Sequence, residues 1–362
     1  MTTARLADVN TGRDNNFNLL RFVASLSVVI THAVAQSSGI AELTALHVFG
    51  TYVAILAPDV FFVASGYLIS ASLLSRNDPR AYLRARVLRI YPALWVAILT
   101  TVFVIGPIFS TLSVGAYFSD PRTWVHLLRN LTLLFGAAEG LPGVFNGLPL
   151  SGAVNGSLWT LPVEIRLYLA LLLLWWLAGR FTQRREYWMG VVVVVAAIVL
   201  GGLKLWLEPA WGDHPINTLR LAPLFLIGCA MFLWRQHIPM RRDLFWLAFG
   251  AMLLTLPWLE VFFFVEFFAI GYVTLYLAYV PAGAVRGFNR FGDCSYGIYI
   301  NSFPLQQAMV YLMPGIGAWA LIGWSLLVTL PVAMLSWHFV ERPALARKHN
   351  ASRVRAVVPA SN

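Results

Sequence analysis

Apolar windows long enough to cross a bilayer follow one another along almost the whole chain, and this pattern constrains the fold more than any motif does. A membrane helix needs about 17 to 25 such residues. Windows of this kind occur at 16–36, 52–75, 91–110, 158–178, 187–207, 217–235, 243–259, 261–281, 294–313 and 318–340. Only 12% of the residues are charged, against about 25% in an average soluble protein. The sequence therefore predicts an all-α integral membrane protein with about ten transmembrane helices in one bundle.

The loops between these windows differ in their content of basic residues. Most of the 26 lysine and arginine residues fall before the first window or after the even-numbered ones. Cytoplasmic loops are enriched in these residues, so both termini are predicted to be cytoplasmic. The predicted organisation is a cytoplasmic N-terminal segment at 1–15, a transmembrane domain at 16–341 and a basic cytoplasmic tail at 342–362. The net charge of +10 thus reflects basic cytoplasmic loops, which orient the protein in the membrane. No nucleic acid is therefore expected as a partner.

Two segments between the third and fourth windows differ from the rest of the chain. Residues 122–137, RTWVHLLRNLTLLFGA, are too few and too charged to span the membrane easily. They are predicted to form an amphipathic helix, either at the interface or tucked into the bundle. Residues 138–157 are rich in Gly, Pro, Asn and Ser, which predicts a turn-forming outer loop. Such a loop could form the lip of a pocket or be a plain connector, and the sequence leaves both open.

The first window carries an arginine and a histidine, Arg21 and His32, eleven residues apart. In a helix this spacing is close to three turns, so both side chains lie on one face, about 16 Å apart along the axis. Charged groups inside a span normally face a bundle interior or a water-filled cavity. The pair therefore predicts a polar stripe across half of the membrane. The alternatives are a snorkelling arginine and an interfacial histidine bonded to a backbone carbonyl.

Two acidic residues near the outer ends of other windows are candidate partners of this histidine. Glu164 stands in SLWTLPVEIRLYL, at a depth similar to that of His32, and Asp59 stands in APDVFFVASGYLIS. A carboxylate beside a histidine raises the basicity of the imidazole and sets its tautomer. The alternative for Glu164 is an intramembrane ion pair that only fixes helix packing.

Arg86 and Arg89 are candidates for binding phosphate. They lie three residues apart in RAYLRARVLRIYPALW, the basic segment after the second window, so on a helix they share a face. The guanidinium fork binds phosphate oxygens through two parallel hydrogen bonds. The alternative is the ordinary positive charge of a cytoplasmic loop.

Several common catalytic motifs are absent from the sequence. It contains no P-loop, no G-x-S-x-G nucleophile elbow and no H-E-x-x-H zinc motif. The two cysteines, Cys229 and Cys294, lie in or beside apolar windows and suit neither a disulfide framework nor a metal site. No metal and no permanently bound cofactor are therefore expected.

Six segments in a fixed order resemble the acyltransferase family 3 membrane proteins. They are the Arg21–His32 spacing, FFVASGYLI, RVLRIYP, SLWTLPVEIRLYL, GDCSYGIYINSFPLQQ and SWHFVERPAL. The resemblance implies ten spans and cytoplasmic termini, in agreement with the charge pattern. It also implies an O-acyltransferase of the bacterial cytoplasmic (inner) membrane. Such enzymes take an acyl group, usually acetyl, from cytoplasmic acyl-CoA and transfer it to a hydroxyl of a cell-surface or secreted glycan.

The resemblance also implies roles for individual residues. Arg21 and His32 match the essential Arg–His pair of the family. Arg86 and Arg89 match the arginine pair assigned to the acyl-CoA end. Glu164 matches an acidic residue of the family.

The expected chemistry follows from these assignments. His32 acts as general base on the acceptor hydroxyl, with Glu164 and Asp59 as acidic residues of the catalytic group, whereas Arg21, Arg86 and Arg89 bind the donor. Direct transfer and an acyl-histidine intermediate both remain open. The expected partners are acyl-CoA, a glycan or lipid-linked saccharide acceptor, membrane lipids and glycan-biosynthesis proteins.

Two other classes of function compete with this one. Many spans with intramembrane charge also suit a multi-pass transporter or export protein, but a transporter predicts two pseudo-symmetric halves, which the sequence does not show. A membrane assembly factor without catalysis predicts that replacement of His32 is silent.

Overall fold

The computed structural model describes residues 4–39 without 11 and 13, 47–211 and 213–347. Its α-helices in chain order are α1 (Leu6–Val9), α2 (Phe17–Ser38), α3 (His47–Arg76), α4 (Pro79–Thr100), α5 (Gly106–Phe109), α6 (Val114–Ser119), α7 (Pro121–Thr132), α8 (Thr160–Phe181), α9 (Arg185–Trp211), α10 (Asp213–Leu233), α11 (Arg242–Thr255), α12 (Leu259–Tyr279), α13 (Ser295–Leu312) and α14 (Ala318–Ser336). Short 3₁₀ segments occupy Gly156–Trp159 and Gly283–Phe291, and π-helical turns occupy Thr101–Ile105 and Trp337–Glu341. Among these residues the regular structure is helical, apart from two isolated bridges.

Within the described residues, seven helical segments are long and apolar enough to cross a membrane. They are Phe17–Ser38, Leu56–Arg76, Pro79–Phe109, Gly156–Phe181, Arg185–Lys204, Leu259–Tyr279 and Ala318–Arg347, and Leu219–Leu233 is a shorter apolar helix. The windows predicted at 243–259 and 294–313 form helices of 14 and 18 residues. The structure thus confirms an all-helical, multi-pass membrane protein. The number of ten spans and the cytoplasmic location of the termini stay predictions, and residues 348–362 of the predicted tail lie outside the described residues.

Helix α4, which contains the start of the third apolar window, begins at Pro79, twelve residues before that window. Asp78 caps its N-terminus, because the carboxylate accepts hydrogen bonds from the backbone amides of Arg80 and Ala81 at 2.8 and 3.2 Å. Pro79 at the first helical position needs no amide partner and has a backbone angle suited to the helix. The basic segment with Arg86 and Arg89 is therefore helical, which fixes the two side chains on one face.

The chain divides into two compact units. The first unit contains Met1–Ser27, Leu46–Ser75 and Val163–Gly292. The second unit contains Val28–Ala45, Arg76–Pro162 and Asp293–Asn362.

In the first unit, helices α3 and α10 pack with their backbones in contact. A Cβ atom added to Gly66 would overlap the carbonyl oxygen of Phe225, and one added to Gly228 would overlap that of Val63. Small residues allow this close approach between membrane helices, where van der Waals packing drives association.

The start of α2 is held in the same unit by polar contacts. The side-chain amide of Asn16 donates to the carbonyl oxygens of Leu277 and Pro281 at 2.9 and 2.8 Å. These bonds tie the helix that carries Arg21 to the C-terminal end of α12.

In the second unit, the rest of α2 packs against α13 and α14. Ala33, Met309, Val310 and Leu321 form a buried cluster there. Since Ala33 follows His32 directly, this packing fixes the position of the imidazole along the helix.

Candidate functional site

The imidazole of His32 lies half-buried on α2 in the second unit, against the ring of Phe303. The ring centroids are 5.1 Å apart with an interplanar angle of 79°, an edge-on contact that restricts ring rotation. The Nδ1 atom is buried and has no hydrogen-bond partner among the described residues. A neutral imidazole with one nitrogen available can accept a proton from a substrate hydroxyl. The predicted alternative was an interfacial histidine bonded to a backbone carbonyl, and Nδ1 makes no such bond among the described residues.

One helical turn beyond His32, a buried glutamine links α2 to α13. The Nε2 atom of Gln36 donates to Oε1 of Gln306 at 3.2 Å, and Nε2 of Gln306 donates to the backbone oxygen of Val29 at 2.8 Å. Both glutamine side chains are fully buried. The two amides hold the His32 segment of α2 at a fixed register against α13.

The end of the outer loop at 138–157 packs on the aromatic neighbour of His32. The side chain of Asn155 donates to the backbone oxygen of Ile300 at 2.9 Å. A Cβ atom added to Gly156 would lie 2.8 Å from the Phe303 ring, so only glycine allows this approach. These contacts tie the end of the loop to the helix α13 that carries Phe303.

The two candidate phosphate-binding arginines have different environments on α4. The guanidinium of Arg86 lies 5.9 Å from the centroid of the Tyr82 ring. That of Arg89 forms ion pairs with Asp293 at 2.7 Å and with Glu341 at 3.4 Å. We call Arg89, Asp293 and Glu341 the Arg89 cluster.

Hydroxyl groups complete the Arg89 cluster. Ser295 donates to Asp293 at 2.5 Å, and Ser336 donates to Glu341 at 3.1 Å. Glu341 is the last residue of the π-helical turn that follows α14, and such turns frequently occur at functional sites. The extra residue per turn places the carboxylate of Glu341 in the interior, where its side chain is 2% exposed.

In the first unit, Arg21 and Glu164 each have a close polar neighbour. Arg21 donates to the side-chain oxygen of Asn18 at 3.0 Å. The Oε1 atom of Glu164 accepts hydrogen bonds from the hydroxyls of Ser65, at 3.0 Å, and Tyr168. Glu164 is only half-buried, so it remains accessible to a further donor.

Asp59 is fully buried in the first unit and forms an ion pair with Arg220 at 2.6 Å. Burial of a carboxylate requires such a partner, because desolvation of an isolated charge is costly. This contact supplies a structural reason for the intramembrane position of Asp59.

Of the amphipathic helix predicted at 122–137, the structure forms residues up to Thr132, as α7, and the left-handed Leu133 ends it. His126 points away from the exposed apolar face, and its Nδ1–H donates to the backbone oxygen of Gly140 at 2.9 Å. Burial lowers the pKa of His126 to about 4. The hydrogen bond to Gly140 acts against this shift, and the charge of Arg129 adds to it. His126 is thus a neutral structural histidine that joins α7 to the loop.

The second unit brings together several functional candidates that sequence analysis did not assign. They are Gln36, Gln306, Phe303, Asp293 and Glu341. Gln306 could have been found from the sequence, because Gln306 and Gln307 together interrupt an apolar window. The acidic pair lies in two of the segments that carry the resemblance, but only the fold places it at Arg89.

The six predicted site residues fall into two groups. His32, Arg86 and Arg89 belong to the second unit, and Arg21, Glu164 and Asp59 belong to the first. Arg21 and His32 lie on one unbroken helix, α2, as their spacing predicts.

These features define a multi-pass helical membrane protein with a half-buried imidazole and two arginines on one helix face. The model of the acyltransferase domain family matches residues 14–338, so the chain belongs to acyltransferase family 3. The resemblance found from the sequence motifs is confirmed.

Two relatives match nearly the full chain. One is named O-acetyl transferase, from Shigella phage Sf6, with 25% identity over 350 residues, 92% of this chain and 97% of the relative. The other is named Nodulation protein 10, from Rhizobium leguminosarum bv. viciae, with 23% identity over 361 residues, 93% of this chain and 94% of the relative. No solved structure matches the chain. The family and the first relative indicate acyl transfer to oxygen.

Proposed function

We propose that the protein is an acyl-CoA-dependent O-acyltransferase of the bacterial cytoplasmic membrane. It transfers an acyl group, expected to be acetyl, from cytoplasmic acyl-CoA to a hydroxyl of a cell-surface or secreted glycan. The observation that carries this proposal is the His32 imidazole, which is held by Phe303 and has a buried Nδ1 atom without a partner among the described residues. The name of the phage relative, O-acetyl transferase, supports acetyl as the group transferred.

In the proposed step, the imidazole of His32 takes the proton of the acceptor hydroxyl. The hydroxyl oxygen attacks the thioester carbonyl, a carbon–oxygen bond forms, and the carbon–sulfur bond breaks. The CoA thiolate leaves and the proton on His32 returns to it. A thioester is already activated, so the protein needs mainly to position the two substrates and to remove this proton.

The arginines supply the donor site in this proposal. Arg86 and Arg89 share one face of α4, where their N–H groups suit the phosphates of CoA. Asp293 and Glu341 occupy part of the Arg89 fork, so we assign the main phosphate contact to Arg86 and a shared contact to Arg89. Arg21 contributes a further cation on the helix that carries His32.

Glu164 and Asp59 stay predicted acidic members of the catalytic group. Glu164 is half-buried and accepts hydrogen bonds from the hydroxyls of Ser65 and Tyr168.

The test uses the full-length protein in nanodiscs with radiolabelled acetyl-CoA and a membrane glycan fraction. His32→Ala is expected to reduce label transfer by roughly 10²–10⁴-fold, the usual contribution of a general base, while donor binding is retained. Arg86→Ala is expected to weaken donor binding. His237→Ala, at an exposed histidine, is the matched control and should behave as the wild type.

Two results would contradict the proposal. Transfer by His32→Ala within a few fold of the wild type would exclude the base role and favour an assembly factor. Failure of the wild type to bind acetyl-CoA or longer acyl-CoA donors would make the transporter class the leading one.

A further inference from the structure

A buried glutamine of α2, Gln36, lies one helical turn after the half-buried His32 in the second unit. The two side chains are four residues apart, so they lie on the same face of the helix with Cβ atoms about 5–6 Å apart. Long side chains on a helix point back over the preceding turn, which directs the amide of Gln36 towards the turn that carries His32. The amide is therefore within reach of the imidazole.

The hydrogen bonds between α2 and α13 determine which atom of the Gln36 amide remains without a partner. A backbone carbonyl can only accept, so Gln306 directs its Nε2 atom at the oxygen of Val29, at 2.8 Å. The Oε1 atom of Gln306 then faces Gln36, which has to present its own Nε2 atom, at 3.2 Å. The atom of Gln36 that remains is Oε1, which is buried and has no donor among the described residues. An exchange of the oxygen and nitrogen of Gln36 would place two oxygens in contact, so an acceptor is fixed at this position.

The bridge made by Gln306 runs alongside the turn of α2 that carries His32. Val29 is three residues before His32 and Gln36 is four residues after it, so the bridge spans two turns with His32 between them. Phe303, three residues before Gln306 on α13, contacts the imidazole ring from the same helix. Helix α13 thus holds both the imidazole and the amide of Gln36.

The Nδ1 atom of His32 and the Oε1 atom of Gln36 are complementary. Both are buried, and neither has a hydrogen-bond partner in the part of the chain that the structure describes. A neutral imidazole carries its proton on one of its two nitrogens, and an Nδ1–H group can donate to an amide oxygen. Catalytic histidines are commonly oriented by a group that accepts from the second ring nitrogen. In structures without substrate such catalytic hydrogen bonds are often long or poorly aligned, and they tighten when the substrate binds.

We propose that Gln36 is a positioning residue for His32, with its Oε1 atom as the acceptor of the imidazole Nδ1–H. The proton of the acceptor hydroxyl is then taken up by Nε2, in agreement with the burial of Nδ1 in a side chain that is only half-buried. While both nitrogens carry a proton, the hydrogen bond to Gln36 stabilises the imidazolium, until the Nε2 proton passes to the CoA thiolate. This role rests on the proposed acyl transfer, whereas the hydrogen bond itself can be tested without it.

The first experiment detects which nitrogen of His32 carries the proton. The full-length protein, isotopically labelled in the nitrogens of histidine, is studied by NMR in nanodiscs without donor or acceptor, at about pH 8, where an ordinary imidazole is neutral. The spectrum of His32→Ala identifies the signals of His32. The wild type is expected to carry the proton on Nδ1. Gln36→Met keeps the length of the side chain but removes the amide oxygen, so it should move most of the proton to Nε2.

The matched control for this measurement is Gln307→Met. Gln307 is also a buried glutamine of α13, but it donates to the backbone oxygens of Leu150 and Ala153 in the outer loop rather than to α2. This variant should keep the proton of His32 on Nδ1.

The second experiment measures transfer of radiolabelled acetyl from acetyl-CoA to the membrane glycan fraction. Gln36→Met should reduce kcat by roughly ten- to a hundred-fold, because a misplaced base slows the chemical step. Donor binding and the KM for the glycan should be unchanged. Gln36→Glu again offers an oxygen to Nδ1–H and should recover most of the loss. Gln306→Met removes the same bond between the glutamines but leaves the oxygen of Gln36, so it should lose less rate than Gln36→Met.

Several results would overturn the proposal. They are a wild-type proton on Nε2, a Gln36→Met variant with the wild-type tautomer or the wild-type kcat, and a rate loss in Gln306→Met as large as that in Gln36→Met. The last result would assign Gln36 to helix packing alone. Absence of transfer by the wild type, together with an Nδ1 proton that moves in Gln36→Met, would contradict the proposed function and support the hydrogen bond.

Discussion

The Arg89 cluster and a second group, the Arg220 cluster of Asp59, Lys204, Arg220 and Glu266, both bury opposite charges. They differ in how their oxygen atoms are satisfied. In the Arg89 cluster, each carboxylate has a guanidinium and a serine hydroxyl as partners. In the Arg220 cluster, Oδ1 of Asp59 and Oε1 of Glu266 have no donor among the described residues, and the two carboxylates lie beside each other. A fully bonded cluster fixes helices in place, whereas a cluster with unsatisfied oxygen atoms stabilises helix packing less.

The largest expected effect comes from removal of the central cation of the Arg89 cluster. Arg89→Ala leaves two buried carboxylates without their guanidinium, which should destabilise the protein by about 3–5 kcal/mol. The measurement is the free energy of unfolding in mixed micelles. Arg84→Ala, at an exposed arginine of the same helix, is the control and should change stability by less than about 0.5 kcal/mol. Equal effects of the two variants would show that the ion pairs do not hold the helices.

The corresponding change in the Arg220 cluster should be smaller. Arg220→Ala removes the ion pair of Asp59, but Lys204 remains to offset the carboxylates, so a loss of about 1–3 kcal/mol is expected. The double variant Asp59→Asn/Arg220→Met should recover at least half of this loss, because it removes both charges together. A double variant no more stable than Arg220→Ala would mean that the pair is part of a tightly bonded network like the Arg89 cluster.

A small change at the loop tests the link between packing and catalysis. Gly156→Ala places a methyl group against Phe303 and should shift the contact of this ring with His32. Acyl transfer should fall by roughly ten- to a hundred-fold, with donor binding unchanged and a stability loss of about 1 kcal/mol. Gly250→Ala, at a helical glycine with open space around it, is the control. A normal transfer rate in Gly156→Ala would separate the loop from the site.

The smallest effect is expected from a buried histidine outside the membrane spans. The pKa of His126 is lowered from 6.5 to about 4, so the unfolded chain binds its proton at a higher pH than the folded protein does. Stability should be complete above pH 6.5 and fall as the pH decreases towards 4, with a loss of about 1 kcal/mol at pH 5.5. His126→Gln should flatten this part of the pH–stability profile, and an unchanged profile would assign the slope to another group.

Much of the candidate site could be predicted from the types of residue in the sequence. Arginine and histidine inside an apolar window are rare enough to indicate a function, which singled out Arg21 and His32. Their common helix is confirmed by α2. The spacing of Arg86 and Arg89 placed both on one helix face, which α4 also confirms.

The sequence by itself determined the membrane class, the helices and the family, because hydrophobic length, loop charge and short motifs are local properties. Even α4, which begins at Pro79 rather than at 91, has its start set by a local cap at Asp78. Tertiary structure alone decided which charges meet. Arg89 reaches Asp293 and Glu341 across separations of 204 and 252 residues, and Arg220 reaches Asp59 across 161. No local pattern specifies such pairings, since they depend on which helix faces pack together once every buried charge has to find a partner.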